Sequence, residues 1–116
     1  MSQSNCLFCK ITNKEIPAEI IYENEHFLCF KDIHPKANVH LLVIPKQHIE
    51  NLNDLNPNDK NHHEIMSNAL MLLPKIAKEQ GLDDGFRTII NTGPGGGQEV
   101  YHIHFHILGG GNLHPL

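Results

Sequence analysis

The sequence has no excess of basic residues: nine Lys and Arg stand against thirteen Asp and Glu, a formal charge of -4. Binders of nucleic-acid polymers usually carry a basic stripe that displaces counterions from phosphates, so a polymer is excluded as the main ligand. A single nucleotide needs less, a few backbone N–H groups and one or two polar side chains. No apolar run approaches the ~20 residues that cross a bilayer, and residues 1–5 lack the basic-then-apolar pattern of an export signal. Cysteine is scarce and odd in number, three in all, two of them as Cys6-x-x-Cys9. Without an export signal, no disulfide framework is expected. These absences point to a cytoplasmic, reduced protein with no membrane partner. There is no internal repeat, low-complexity tract or linker, and 116 residues suit one domain spanning 1–116. So small a core would gain from a partner subunit.

What the chain does have is histidine, ten residues of it. The pattern around them predicts short elements. Residues 6–13 read as a short helix ended before Pro17. Residues 19–23 and 26–31 read as a hairpin around Asn24-Glu25, and residues 39–44 as a buried strand stopped by Pro45. Asn56-Pro57 is a favourable helix start. Ile65, Ala69, Leu72, Leu73 and Ile76 then recur at helical spacing up to a stop at Gly81. Pro74 cannot donate to the residue 70 carbonyl and costs about 3 kcal/mol inside a helix, which predicts a kink or two helical pieces. Residues 86–91 read as a strand, 92–98 as a glycine-rich loop and 100–108 as the final strand. Five strands with hairpin-like links, one long helix and one short helix predict an α+β fold around an antiparallel sheet.

On that last strand, side chains alternate faces, so His102, His104 and His106 point one way. Ile103, Phe105 and Ile107 point the other way, into the core, and fix the register. Alternate side chains are roughly 6–7 Å apart, so a phosphoryl group above the middle imidazole can be attacked by it while a flanking ring donates a hydrogen bond. Imidazole, with an ordinary pKa of ~6.5, is largely neutral and nucleophilic at cellular pH. Attack through one ring nitrogen requires the proton on the other, held by a backbone carbonyl or another histidine. The loop from Gly93 to Gln98 precedes this run. It lacks the Gly-Lys-Ser/Thr ending and the following helix of a P-loop, but closely spaced N–H groups of such a loop can make an anion nest.

Gly96-Gly97-Gln98-Glu99-Val100-Tyr101-His102-Ile103-His104-Phe105-His106-Ile107-Leu108-Gly109-Gly110 resembles the signature of the histidine triad nucleotide-binding family, nearest its Hint branch. Ile16-Pro17-Ala18, Phe30-Lys31-Asp32-Ile33-His34-Pro35 and His40-Leu41-Leu42-Val43-Ile44-Pro45-Lys46 match further blocks in family order. The resemblance implies a histidine-triad-like fold and a homodimeric purine nucleoside phosphoramidase or nucleotidyl hydrolase acting on AMP or GMP esters and amidates. By position, His104 is the nucleophile, His106 contacts the α-phosphate, and His40 and His102 support them. Asp32 accepts from the ribose hydroxyls, Ile33 lines the nucleoside pocket, and Asn91, Gly97, Gln98, Glu99 and Val100 match phosphate-side contacts. No metal is needed for catalysis. Glu99 stands where many animal members have a small hydroxyl residue, and the tail, residues 112–116, lacks tryptophan. The alternatives are a dinucleoside-polyphosphate hydrolase, a nucleotide- or zinc-binding module with incidental catalysis, and a metal chaperone.

Cys6 and Cys9 share one helix face. Their thiolates suit one metal, Zn²⁺ by default, or the two pack as small buried hydrophobes. The chain resembles a triad subgroup with this pair and a histidine after Ile-Pro-Lys, here His48. The implied ligand set for a structural Zn²⁺ is Cys6, Cys9, His48 and His102, a staple between the first helix and the sheet that does not touch His104. Cys29 reads as core.

Overall fold

The computed structural model describes residues 5–115. Most of the segment read for an export signal, and Leu116 of the tail, lie outside that range. The elements are α1 (Leu7–Thr12), β1 (Ile20–Glu23), β2 (Phe27–Lys31), β3 (Val39–Pro45), α2 (Lys60–Glu79), β4 (Phe86–Ile89) and β5 (Phe105–Gly109). Short 3-10 turns at Leu52–Asp54 and Pro94–Gly96 complete them. The five strands form one sheet in the order β1-β2-β3-β5-β4, and every neighbouring pair is antiparallel.

Strict alternation along the central strands creates two cores. Phe27, Cys29, Leu41, Val43, Phe105 and Ile107 face α2 and bury Ile65, Ala69, Leu72, Leu73, Ile76 and Ala77 against them. Leu28, Phe30, Leu42 and Ile44 face the other way and cover themselves with Phe8, Cys9 and Ile11 of α1. The predicted α+β class, with five antiparallel strands, one long helix and one short helix, is the observed one. Because six residues of α1 cannot cover a whole sheet face, an open cleft remains between α1 and the strands, lined by Asp32, Asn91, His104 and His106 among others.

Three local expectations are corrected. The long helix starts at Lys60 rather than at Asn56-Pro57. Asp59 is the N-cap, accepting from the N–H groups of Asn61 and His62, while Asn56 accepts from Asn58 in the preceding turn. The same helix runs unbroken through Pro74. Pro74 and Leu70 both lie on its exposed side, where water can serve the carbonyl that proline cannot. The last strand begins at Phe105, five residues later than predicted. Residues 100–104 turn away from the ladder because their polar groups are committed elsewhere: the Ile103 N–H donates to the Ile49 carbonyl at 2.6 Å, and the Val100 carbonyl accepts from the Gln98 amide at 3.1 Å. Alternation of direction survives this departure, with Ile103 in the α2-side core and Phe8 of α1 packed edge-on against both His102 and His104.

Candidate active site and metal centre

A cleft of about 300 Å³ opens beside α1. Asp32, Ile33, Asn91, Gly97, Glu99, Val100, His104 and His106 line it, over an apolar floor that includes Phe8, Phe30 and Leu42. Eight of the residues proposed from sequence thus meet in one place. His40, His102 and Gln98 lie behind its wall, each buried.

His104 is held by its own chain. Its Nδ1 lies 2.8 Å from the carbonyl oxygen of His102. A carbonyl only accepts, so Nδ1 carries the proton and Nε2 keeps a free lone pair. Burial holds the pKa of His104 below the ordinary imidazole range, opposed by this hydrogen bond and by Asp32. The ring is therefore neutral at cellular pH.

A second tautomer chain ends beside it. The Lys36 N–H donates to Nδ1 of His40 at 2.9 Å, which leaves the His40 proton on Nε2. That atom is 2.9 Å from Nδ1 of His106 and 3.5 Å from an oxygen of Asp32. His106 accepts at Nδ1 and so presents Nε2–H as a donor. Burial, then the neighbouring His104 and His40, push its pKa down to about 4. The His104 and His106 rings lie 5.0 Å apart, centroid to centroid, so a free lone pair and a fixed N–H donor stand side by side.

The glycine-rich loop differs from the anion nest expected of it. The N–H groups of Gly96, Gly97 and Gln98 donate inward to the carbonyls of Gly93 and Pro94. Gly97, at φ +78, holds a left-handed conformation that glycine adopts without strain and places its backbone on the cleft wall. Asn91 braces the same turn, donating to the Gly96 carbonyl at 2.8 Å. Among the described residues the N–H groups of Glu99 and Val100 have no partner.

Gln98 holds this loop from inside. Its Oε1 accepts from the Gly93 N–H at 2.9 Å and from the Asn51 amide at 3.1 Å. Its Nε2 donates to the carbonyls of Glu50 at 2.7 Å and Val100 at 3.1 Å. Asn51 is a residue that reading the sequence missed. Asn51 caps the 3-10 turn at Leu52–Asp54, and nothing in the sequence pattern ties it to residue 98. Lys36 and Phe8 were missed as well, because one acts through its backbone and the other through ring packing.

Behind His102, the side chains of Cys6, Cys9, His48 and His102 bring one ligand atom each to within 4.8 Å of one another. The His102 Nδ1 lies 3.4 Å from Cys6 Sγ, 3.5 Å from Cys9 Sγ and 3.3 Å from His48 Nδ1, and Cys9 Sγ lies 3.4 Å from His48 Nδ1. A tetrahedral ion with nitrogen and sulphur ligands at about 2.0–2.3 Å sets neighbouring ligand atoms roughly 3.3–3.8 Å apart, so the four residues fit Zn²⁺. The outer contact also fits: Nε2 of His102 donates to the Pro45 carbonyl at 2.7 Å, which turns the Nδ1 lone pair toward the sulphurs. Burial keeps His102 neutral, with its pKa pushed down to about 4. Cys29 stands apart in the α2-side core, its thiol pushed up to about 12 by burial.

Residues 5–113 match the family model described as the scavenger mRNA decapping enzyme C-terminal binding domain. The fold superposes on a crystal structure of a histidine triad protein from Clostridium difficile with a TM-score of 0.92 and 44% identity, covering 100% of this chain and 99% of that one. The chain belongs to the histidine triad family. It carries the Cys-x-x-Cys pair of the subgroup that the sequence resembles. Among its relatives is the purine nucleoside phosphoramidase of Escherichia coli K12, 41% identical over 111 residues, 95% of this chain and 91% of that protein. Another is a 14 kDa zinc-binding protein of Zea mays, 46% identical over 110 residues, 95% of this chain and 85% of that protein. Among the described residues, no helix of this histidine triad protein is long and apolar enough to cross a membrane.

Proposed function

We propose that this histidine triad protein is a purine nucleoside phosphoramidase, a nucleotide hydrolase that releases AMP or GMP through a nucleotidyl-histidine intermediate. The observation that carries the reading is the 2.8 Å hydrogen bond from His104 Nδ1 to the His102 carbonyl, which makes Nε2 the attacking atom before any substrate arrives. In the first step the Nε2 lone pair forms a bond to the α-phosphorus while the bond from phosphorus to the leaving nitrogen or oxygen breaks. The leaving group takes a proton from Glu99, at the cleft mouth, or from water. In the second step water attacks the same phosphorus, giving a proton to the Glu99 carboxylate or to bulk water, the N–P bond breaks, and the imidazole regains its lone pair.

The phosphoryl oxygens find donors ready. His106 offers Nε2–H, fixed by the run from Lys36 through His40. Glu99 and Val100 line the same cleft and their N–H groups are engaged by no described residue, and Asn91, Gly97 and Gln98 shape the wall that holds them. Fixed donors aimed at developing charge are the usual source of rate enhancement in phosphoryl and acyl transfer. On the far side, Asp32 accepts from the ribose hydroxyls and Ile33 covers the base. The relative named a purine nucleoside phosphoramidase supports amidates of purine nucleotides as substrates.

Cys6, Cys9, His48 and His102 would hold Zn²⁺ as a cross-link tying α1 to the sheet, and no step of hydrolysis runs through it. Free thiolates as ligands suit a reducing cytoplasm. A second copy of the chain is the proposed partner. Ala69, Leu72, Leu73 and Ile76 of α2 face the sheet and are unavailable for that contact. Phe86 and Ile89 on the edge strand β4 are large apolar side chains left in water, and that edge is the surface proposed to pair.

Incubation with adenosine phosphoramidate beside a diadenosine polyphosphate tests the reading. Faster AMP release from the amidate, abolished in a folded His104→Ala, is expected. Preference for the polyphosphate moves the substrate class, and retained turnover in His104→Ala overturns the mechanism.

A further inference from the structure

The residue that orients the nucleophile is also a residue of the metal cluster. His102 directs its ring at Cys6, Cys9 and His48, and directs its carbonyl oxygen at Nδ1 of His104. The sequence reading placed the cluster clear of His104; the structure links the two through one backbone group. The link is stiff on both sides. The ring is wholly buried and clamped at its outer nitrogen by the Pro45 carbonyl, and the next residue, Ile103, is tied to Ile49 beside His48 at 2.6 Å. The segment that carries His48 continues into Glu50 and Asn51, which hold Gln98 and through it the loop at Gly93. His102 and Ile103 thus hold the lone-pair bearer, while Gln98 and the loop are bonded to Glu50 and Asn51, neither of them a ligand of the cluster.

We propose that Cys6, Cys9 and His48 are positioning residues for hydrolysis: by holding the His102 ring through a shared metal ion, they fix the carbonyl that keeps the proton of His104 on Nδ1. This rests on His104 being the nucleophile. With the ring released from the metal, the peptide group of His102 is held by the Pro45 and Ile49 contacts alone, and a turn of it takes the acceptor from Nδ1 of His104, after which either nitrogen can carry the proton. The nucleoside end is held separately, because Asp32 and Ile33 belong to the β2–β3 connection and neither is a ligand of the cluster. Loss of the metal therefore affects turnover and leaves nucleotide affinity in place. Outer contacts of this kind commonly govern about 10–100-fold in activity.

The test compares the full chain loaded with Zn²⁺ and the same chain after chelation, folded by circular dichroism. Ring ¹⁵N NMR reads the tautomer of His104 directly, without turnover. The expected result is a single Nδ1–H form with Zn²⁺ and a mixture after chelation, with kcat lowered at least about tenfold and the Kd for AMP unchanged. Restoring Zn²⁺ restores both. Should chelation unfold the chain, His48→Ala, which keeps three ligands, carries the same comparison. A pure Nδ1–H signal and full kcat without metal overturn the proposal and leave the cluster a staple. That outcome is distinct from activity surviving in His104→Ala, which would remove the nucleophile itself.

Discussion

Replacing Gln98 by alanine is expected to cost more than any other single change in the glycine-rich loop. The side chain is buried and makes four hydrogen bonds, to Gly93, Asn51, Glu50 and Val100. Each hydrogen bond contributes about 0.5–1.5 kcal/mol net, and a buried group left unpaired costs about 1–3 kcal/mol. Four bonds therefore bound the loss at roughly 2–6 kcal/mol. Gly93 and Glu50 are close enough to solvent to regain water, which places the expectation near the lower half, about 3 kcal/mol. That is a large share of the ~5–15 kcal/mol that holds a domain together, and it lowers Tm by about 10 °C in a chain of this size. Gln98→Glu sharpens the test. It keeps the shape and the two accepted bonds but cannot donate to the Glu50 and Val100 carbonyls while ionised. It should be at least as damaging at pH 7.5 and partly recover as the carboxyl protonates. Urea midpoints at constant m, read with phosphoramidase kinetics, check both. A loss below ~1 kcal/mol with unchanged kcat/KM in Gln98→Ala would refute the view that this amide holds the phosphate wall.

Three further outcomes follow from the geometry. Asp32→Asn should raise KM about tenfold with kcat nearly unchanged, the mark of uniform binding, and a 2′-deoxy substrate should lose affinity for the wild type and nothing more for the variant. Stability should fall on acidification. His106, facing Asp32, Lys36, His40 and His104, has its folded pKa held down to about 4, against ~6.5 unfolded. The unfolded chain then binds more protons between those values, so this contribution is full above pH 6.5 and declines down to about pH 4; an unfolding midpoint independent of pH across that window would contradict the assigned burial. Phe86→Lys together with Ile89→Lys should convert a dimer to monomers by light scattering, without loss of fold.

Much of this arrangement was legible because it rests on periodicity. The apolar alternation of Ile103, Phe105 and Ile107 places the histidines on the opposite face whether or not a ladder forms there, and the spacing of Ile65, Ala69, Leu72 and Ile76 marks the buried side of α2. What stayed hidden depends on contacts between distant segments. The late start of β5 follows from Ile103 bonding to Ile49, 54 residues back, a partner that no local pattern announces. Asn56 and Asp59 are both good caps, and only the fold decides between them. Gln98 reads as a loop residue beside a phosphate, but Glu50 and Asn51 draw its side chain inside. The metal set was legible by resemblance; its link to His104 was not, because a carbonyl leaves no trace in residue identity.

Ile33 is 85% exposed, an aliphatic side chain standing in water at the rim of the cleft. Ordered water around it is released when a purine ring covers it, and such burial carries a negative change in heat capacity. The binding enthalpy of a nucleoside monophosphate should consequently grow more exothermic as temperature rises, with a slope that shrinks when Ile33 is cut back to alanine. Recognition at this end is then a matter of solvent and contact area, indifferent to the pattern of groups on the base edge. With Ile33 covering the base as proposed, a cleft built so would grip a flat heterocycle by its area rather than by its edge.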